Sequence, residues 1–229
     1  MFKTELHIHT SPISRCAKVD ALTTAQHFYD EGYNTIVITN HLSPKLLEKV
    51  ITCDPSDWKG VTDCYLSDYR LARDAFKGKM NVLLGIELRV HENNNDYLIY
   101  GINEEFVYNL GNVMDQKLKD IVPKIHEAGG LVFQAHPFRN KMTVTDPAIL
   151  DGIEVYNTAP VHDNRNDIAC MWAKKFNLLH SIGQDYHRAD YLLGGGILTD
   201  TEITTSEQLA EVLKSGNFKM TDGTQILTY

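Results

Sequence analysis

The sequence predicts an α/β fold built on parallel strands, closed into a barrel and not laid out as an open sheet. Three observations carry that expectation. Short β-rich runs alternate with helical patterns along most of the chain, the mark of strand–helix–strand units. Several runs, TIVIT and LLGIEL among them, are apolar on both faces, as expected of strands packed inside and covered by helices outside. Finally, ionisable residues gather where the runs end, which in parallel barrels is where the chemistry sits.

Taken in order, KTELHIH, NTIVITN, NVLLGIELRV, DYLIYGI, GLVFQAH, GIEVYN and NLLHSIG read as strands. Asp20 is placed to cap a helix with Ala21, Leu22, Ala25, Phe28 and Tyr29 on one face, ending at Gly32. Tyr65, Tyr69, Ala72 and Phe76 recur at helical spacing, as do Ile168, Met171, Trp172 and Phe176. A further helix runs toward Ala128-Gly129-Gly130, starting late or kinking at Pro123. Thr205 and Gln208 suggest a capping box leading into Leu209, Val212 and Leu213. No repeat or low-complexity linker interrupts the pattern, so one domain over residues 1–229 is expected.

Composition narrows the class. A formal net charge of −8 leaves no basic footprint for sequence-independent binding, so long nucleic acid is not the expected partner. MFKTELHIH contains no apolar signal core, and no run has the length of a membrane span. Cys16, Cys53, Cys64 and Cys170 form no CxxC pair, which argues against a zinc knuckle or disulfide framework. A soluble cytoplasmic protein is the expectation.

The unusual residues fall at strand ends. His7 and His9 close the first strand, and His41 follows TIVITN. Glu87 lies in LLGIELRV, Asp96 opens DYLIYG, His136 ends GLVFQA, and Asp185 and His187 follow NLLHSIG. Strand alternation points His7 and His9 the same way, with Glu5 behind them. Asp185 and His187 share a face only if the extended conformation continues through their loop. A lone strand-end histidine is usually a packing residue. Five of the ten histidines at the ends of four strands, interleaved with carboxylates, are better explained by a multinuclear metal site. Histidine with carboxylate suits zinc, manganese or iron, and a group such as Glu87 can bridge two ions.

The segments ELHIHT, VITNH, GIEL, QAHPFR and GQDYH, in that order between Glu5 and His187, resemble the motifs of the PHP (polymerase and histidinol phosphatase) superfamily. Its usual forms are D-L-H-x-H-T, I-T-D-H, G-x-E, x-x-H-P and G-S-D-x-H. The resemblance implies a distorted (β/α)7 TIM-like barrel, two or three divalent metal ions and phosphoester hydrolysis by a stand-alone enzyme. It assigns His7, His9, Glu87 and Asp185 to one ion, and Glu87 with His136 and a further donor to a second. His41 and His187 resemble ligands of a third. The chain departs from the pattern at Asn40, where aspartate is usual, and at Gln184, where serine is usual. Neither is expected to touch metal, so the departures bear on what orients the ligands.

Two further ligands are expected where the pattern is looser. Asp96 stands where relatives often carry histidine, with His91 as its rival and a turn-initiating aspartate as the plain alternative. Cys16 lies near the third-metal position, where a thiolate would favour zinc or iron over magnesium; a buried free cysteine is the plain alternative. Arg139, close behind His136-Pro137, suits bidentate contact with phosphate oxygens. Arg15 and Lys18 are expected as helpers from the first loop, with a solvated surface charge as the plain alternative. His162 stands before a helix, to meet a leaving group or cap that helix. His27, His126 and His180 are expected to be structural or surface residues.

The expected activity is hydrolysis of a small phosphorylated substrate by water activated between cations. Asp185 or His187 would orient that water or pass a proton, and Arg139 would offset phosphate charge. The alternatives are a non-catalytic metal-binding module of the same superfamily, or an amidohydrolase-like C–N hydrolase. The second is disfavoured by Arg139 and by the lack of a carboxylated-lysine motif.

Overall fold

All seven runs read as strands form strands in the computed structural model, which describes residues 1–228. The first half of the chain runs β1 (Phe2–Ile8), α1 (Ala21–Asp30), β2 (Thr35–Ile38), β3 (His41–Leu42), α2 (Pro44–Lys49), α3 (Trp58–Tyr65), α4 (Ser67–Phe76), β4 (Asn81–Leu84), β5 (Ile86–Leu88) and β6 (Tyr97–Tyr100). It continues with α5 (Glu104–Leu110), α6 (Leu118–Glu127), β7 (Leu131–Gln134), β8 (Gly152–Asn157), α7 (Asn166–Phe176), β9 (Leu179–Gly183), β10 (Gly195–Thr199), α8 (Ser206–Ser215), β11 (Lys219–Asp222) and β12 (Ile226–Leu227).

The strands make two six-stranded sheets, ordered β12-β11-β10-β1-β2-β4 and β3-β5-β6-β7-β8-β9. The chain steps from the first to the second twice, across Thr39-Asn40 between β2 and β3 and across Gly85 between β4 and β5. Gly85 is required there by close approach: a Cβ would stand 2.8 Å from Thr39 Cγ2 and 2.9 Å from Val37 Cγ1. The far edge of the second sheet also meets β1. His9 N donates to Tyr186 O at 3.0 Å and Tyr186 N to His7 O at 3.1 Å. These contacts bring the ends of β1, β3, β5, β7 and β9 toward one place.

The expectation of an all-parallel sheet is corrected. Strands β1, β2 and β4 are parallel, as are β7, β8 and β9, but β6 is antiparallel to both β5 and β7. Residues 89–96 connect β5 to β6 without a helix, and a parallel crossover needs a longer connection. Strands β10 to β12 add an antiparallel extension on β1. Their sequences, glycine-rich or polar and short, carry little strand signal.

One apolar cluster takes Leu6, Val37 and Leu84 from the first sheet together with Ile99, Phe133 and Ile182 from the second. A smaller one holds Ile8, Phe28, Ile36, Phe76 and Tyr186. Helix α1 starts as expected, with the Asp20 carboxylate accepting from Thr23 N, but Leu22 and Tyr29 are exposed and the buried face is Ala21, Thr24, Ala25 and Phe28. The span from Tyr65 to Phe76 is two helices meeting at Leu66. In α7 the buried residues are Ala169 and Ala173, while Ile168, Met171 and Phe176 are exposed, so small residues set that face against the sheet. Helix α6 begins at Leu118 and runs through Pro123. The Gln208 side chain accepts from Thr204 N, one residue before the Thr205 cap that a capping box would use. Among the described residues no helix is long and apolar enough to cross a membrane.

Candidate metal centre

The donors converge on Glu87, in the middle of β5 and fully buried. Its Oε1 lies 3.3 Å from His7 Nε2 and 3.1 Å from His136 Nε2. Its Oε2 lies 3.0 Å from His9 Nε2 and 2.9 Å from His41 Nδ1. His41 stands opposite Glu87 in the parallel β3–β5 register, so the step between β2 and β3 delivers it. Asp185 Oδ1 is 3.5 Å from His7 Nε2 and 3.3 Å from His9 Nε2. His136 and Asp185 have positive φ, 29° and 48°, conformations that cost a non-glycine residue energy and turn each side chain inward just past a strand. That turn breaks the alternation needed for Asp185 and His187 to share a strand face. His187 arrives differently, with Nδ1 donating to Asp185 O at 2.7 Å.

Tautomers follow from the surrounding hydrogen bonds. Thr10 N donates to Asn40 Oδ1, which fixes the orientation of that amide. Ser14 Oγ therefore gives its proton to Asn40 Oδ1 at 2.8 Å and must accept from His9 Nδ1 at 3.0 Å. The opposite end of the amide donates to Thr10 Oγ1, which donates to Asp68 Oδ2. His7 Nδ1 donates to Glu154 Oε1 at 2.8 Å. With Nδ1 donating outward, each ring in its neutral form turns the Nε2 lone pair toward the centre, where the two Nε2 atoms face each other at 3.1 Å. Glu87 Oε2 is buried with no donor in hydrogen-bonding geometry. Opposed lone pairs beside an unsatisfied carboxylate oxygen repel unless positive charge, a proton or a metal cation, lies among them. The residues present fit divalent ions.

The electrostatics agree. Burial opposes a charged His7, but the carboxylates of Glu154, Asp185 and Glu87 outweigh it and hold its pKa well above the usual imidazole value. Against burial, His41, His7 and His9 hold Glu87 well below the ordinary carboxylate range. Against burial again, His7, His9, His187 and Arg139 hold Asp185 well below the ordinary carboxylate range. The centre is built to hold positive charge.

Four groups of donors lie within 4.8 Å of one another: His7, His9 and Asp185; His7, Glu87 and His136; His9, His41 and His187; and His41, Glu87 and Asp96. Asp96 is also engaged on both oxygens by Arg89, through Nε at 2.6 Å and through Nη2. His91 is placed elsewhere, exposed on the surface with Nε2 4.0 Å from Asp115, and so does not rival Asp96. Cys16 Sγ is 3.1 Å from His187 Nε2. Burial resists its ionisation, but hydrogen bonds from His187 and His41 prevail and bring the thiol down to about 5.

Arg139 reaches the same centre, donating to Asp185 Oδ2 and Asn164 Oδ1, both at 2.8 Å, while its Nη2 is buried without a partner. It lines a cleft of about 640 Å³ with Lys18 and the exposed His162. His162 does not cap α7, whose N-cap is Arg165. Arg15 lines a neighbouring cleft. His27, His126 and His180 stay outside the centre, His27 binding the Tyr186 hydroxyl and His126 the Asp151 carboxylate.

Sequence reasoning missed Glu154, on β8 and buried, which accepts from His7 Nδ1, His136 N and Asn157 Nδ2. An acid inside the apolar run GIEVYN was the available signal. The departures also acquire roles. Asn40 anchors the Ser14–His9 chain, and Gln184 donates through N and Nε2 to Glu5, whose pKa burial raises to about 7.

No protein-family model matches the chain. A 5'-3' exoribonuclease of Haemophilus influenzae is 36% identical over 75 residues, covering 29% of this chain and 27% of that protein. A two-domain Bacteroides vulgatus protein containing a predicted PHP-like metal-dependent phosphoesterase superposes over 99% of this chain and 66% of its own, with TM-score 0.74 and 16% identity. The lesion-specific endonuclease PfuEndoQ of Pyrococcus furiosus covers 96% of this chain and 57% of its own, with TM-score 0.58 and 13% identity. The chain therefore spans under two thirds of each of these relatives. Its fold is that of these solved structures.

Glu154→Ala leaves the His7 ring without its anchor. Zinc affinity measured by chelator competition should fall roughly 10–100-fold; unchanged affinity would contradict the anchoring role.

Proposed function

We propose that the protein is a metal-dependent phosphoesterase acting on a small phosphorylated substrate, with two or three zinc, manganese or iron ions around Glu87. The observation that carries this reading is the pairing of the Glu87 donor cluster with the buried, unpartnered Nη2 of Arg139 beside it. An anion-seeking guanidinium next to a cation-seeking cluster suits a phosphate bound at both. The comparison with PHP-like phosphoesterases and an endonuclease supports the same chemical class. We read β1, β2 with β3, β4 with β5, β6, β7, β8 and β9 as one distorted seven-stranded barrel whose C-terminal mouth holds the centre.

His7, His9, Asp185 and Glu87 would hold one ion, and Glu87 with His136 a second, with Asp96 available once Arg89 yields an oxygen. Bound divalent ions would supply Lewis acidity and lower the pKa of a water. Arg139 binds and orients the phosphate, keeping its hold on Asp185 through Nη1. Asp185, held ionised by its surroundings, orients and does not carry protons. His187 faces the cleft with Nε2 and serves as proton carrier while the third position is free.

His9→Ala should lower kcat/KM for 4-nitrophenyl phosphate and its diester by at least roughly 10²–10³-fold, the scale of losing a principal electrostatic group. Full activity in that variant would overturn the reading. Metal bound without turnover of any phosphoester would favour a binding module.

We also propose His9, His41, His187 and Cys16 as the third position. Ligands on one tetrahedral zinc lie roughly 3.3–3.6 Å apart, near the 3.1 Å between Cys16 Sγ and His187 Nε2. Cobalt-loaded protein should show a thiolate-to-metal charge-transfer band that Cys16→Ser abolishes, along with a fall in metal content. An unaltered spectrum and metal content would remove Cys16 from the ligand set.

A further inference from the structure

Two clefts open onto the metal centre. The one holding Arg139 shares Cys16, His41 and Arg89 with a second, of about 770 Å³, that extends along α2. The second cleft has buried apolar residues, Ile13, Leu46 and Val90, and a cationic rim of exposed Arg15, Lys45 and Lys49. Glu48 is the one carboxylate lining it among the described residues. Lys45 and Lys49 stand one helical turn apart, where like charges repel. Among the described residues neither they nor Arg15 has an acidic or hydrogen-bonding side-chain partner. By contrast Arg70, Arg73, Arg139 and Arg188 are all paired with acids. Unpaired cations held together over an apolar surface, on a chain of net charge −8, form a local positive field beside the centre. A simple phosphomonoester held at the metals with Arg139 makes no use of this cleft.

We infer that the substrate is an organic bisphosphate. One ester sits at the metal centre with Arg139. The carbon body crosses the boundary formed by Cys16, His41 and Arg89 onto Ile13, Leu46 and Val90. The second phosphate is held by Arg15, Lys45 and Lys49. This rests on the phosphoesterase reading and names the substrate class for it.

The test is phosphate release by manganese-loaded protein from alkane-α,ω-diol bisphosphates of increasing length, each compared with its monophosphate. At one preferred length kcat/KM should exceed that of the monophosphate by about tenfold or more, mainly through KM. The double variant Lys45→Gln/Lys49→Gln should lose that advantage and keep monophosphate turnover within about twofold of the parent, since it alters only distant charge. Equal kcat/KM at every length overturns the inference and leaves the phosphoesterase reading intact, as does an advantage that persists in the variant. A single-stranded oligonucleotide that inhibits more strongly than the best bisphosphate competes would overturn it in favour of a polymeric anion. Absence of turnover with both classes removes the phosphoesterase reading and the inference with it.

Discussion

At the end of β1 the Nε2 atoms of two imidazoles face each other across 3.1 Å, with an unsatisfied carboxylate oxygen of Glu87 beside them. Without a proton or a metal cation among these atoms the arrangement is repulsive and buried, where low dielectric magnifies the cost. It persists because groups behind it over-determine it. Glu154 holds His7 from one side, and the Ser14–Asn40–Thr10–Asp68 chain holds His9 from the other. The surrounding framework is arranged to serve this constraint. β3 places His41 in register with Glu87, and left-handed turns after β7 and β9 swing His136 and Asp185 inward. Gly183 must lack a side chain, since a Cβ there would stand 2.3 Å from His7 Cβ.

A good deal of this was legible in the sequence. Strand alternation placed His7 and His9 on one side, and strand ends marked His41, Glu87, His136 and Asp185 as neighbours. Local pattern could not reveal how the strands pair. The antiparallel position of β6 follows from a connection too short for a crossover, and the β10–β12 extension from pairing partners far away in sequence. Helix faces were misread where hydrophobicity outranked size. In α7 the small Ala169 and Ala173 approach the sheet while Met171 faces solvent.

The supporting layer was the least legible part. Glu154 gave only a weak signal, because an acid in an apolar strand has no meaning until its partners are known. Asn40 and Gln184 looked like departures and turn out to be fitted to their surroundings. An amide at position 40 can accept from Thr10 N and Ser14 Oγ while donating to Thr10 Oγ1, which an ionised carboxylate cannot do. His91, plausible by strand periodicity, is lost because the chain turns away after Leu88.

The claim on which the rest stands is that the Glu87 cluster holds divalent cations. Anomalous diffraction from crystals grown with manganese or zinc, recorded at the metal edge, addresses it directly. The account predicts a peak between His7, His9 and Asp185 and another between Glu87 and His136, with the carboxylate of Glu87 between them. A map without peaks, in which His7 and His9 keep their close contact in saturating metal, would contradict it.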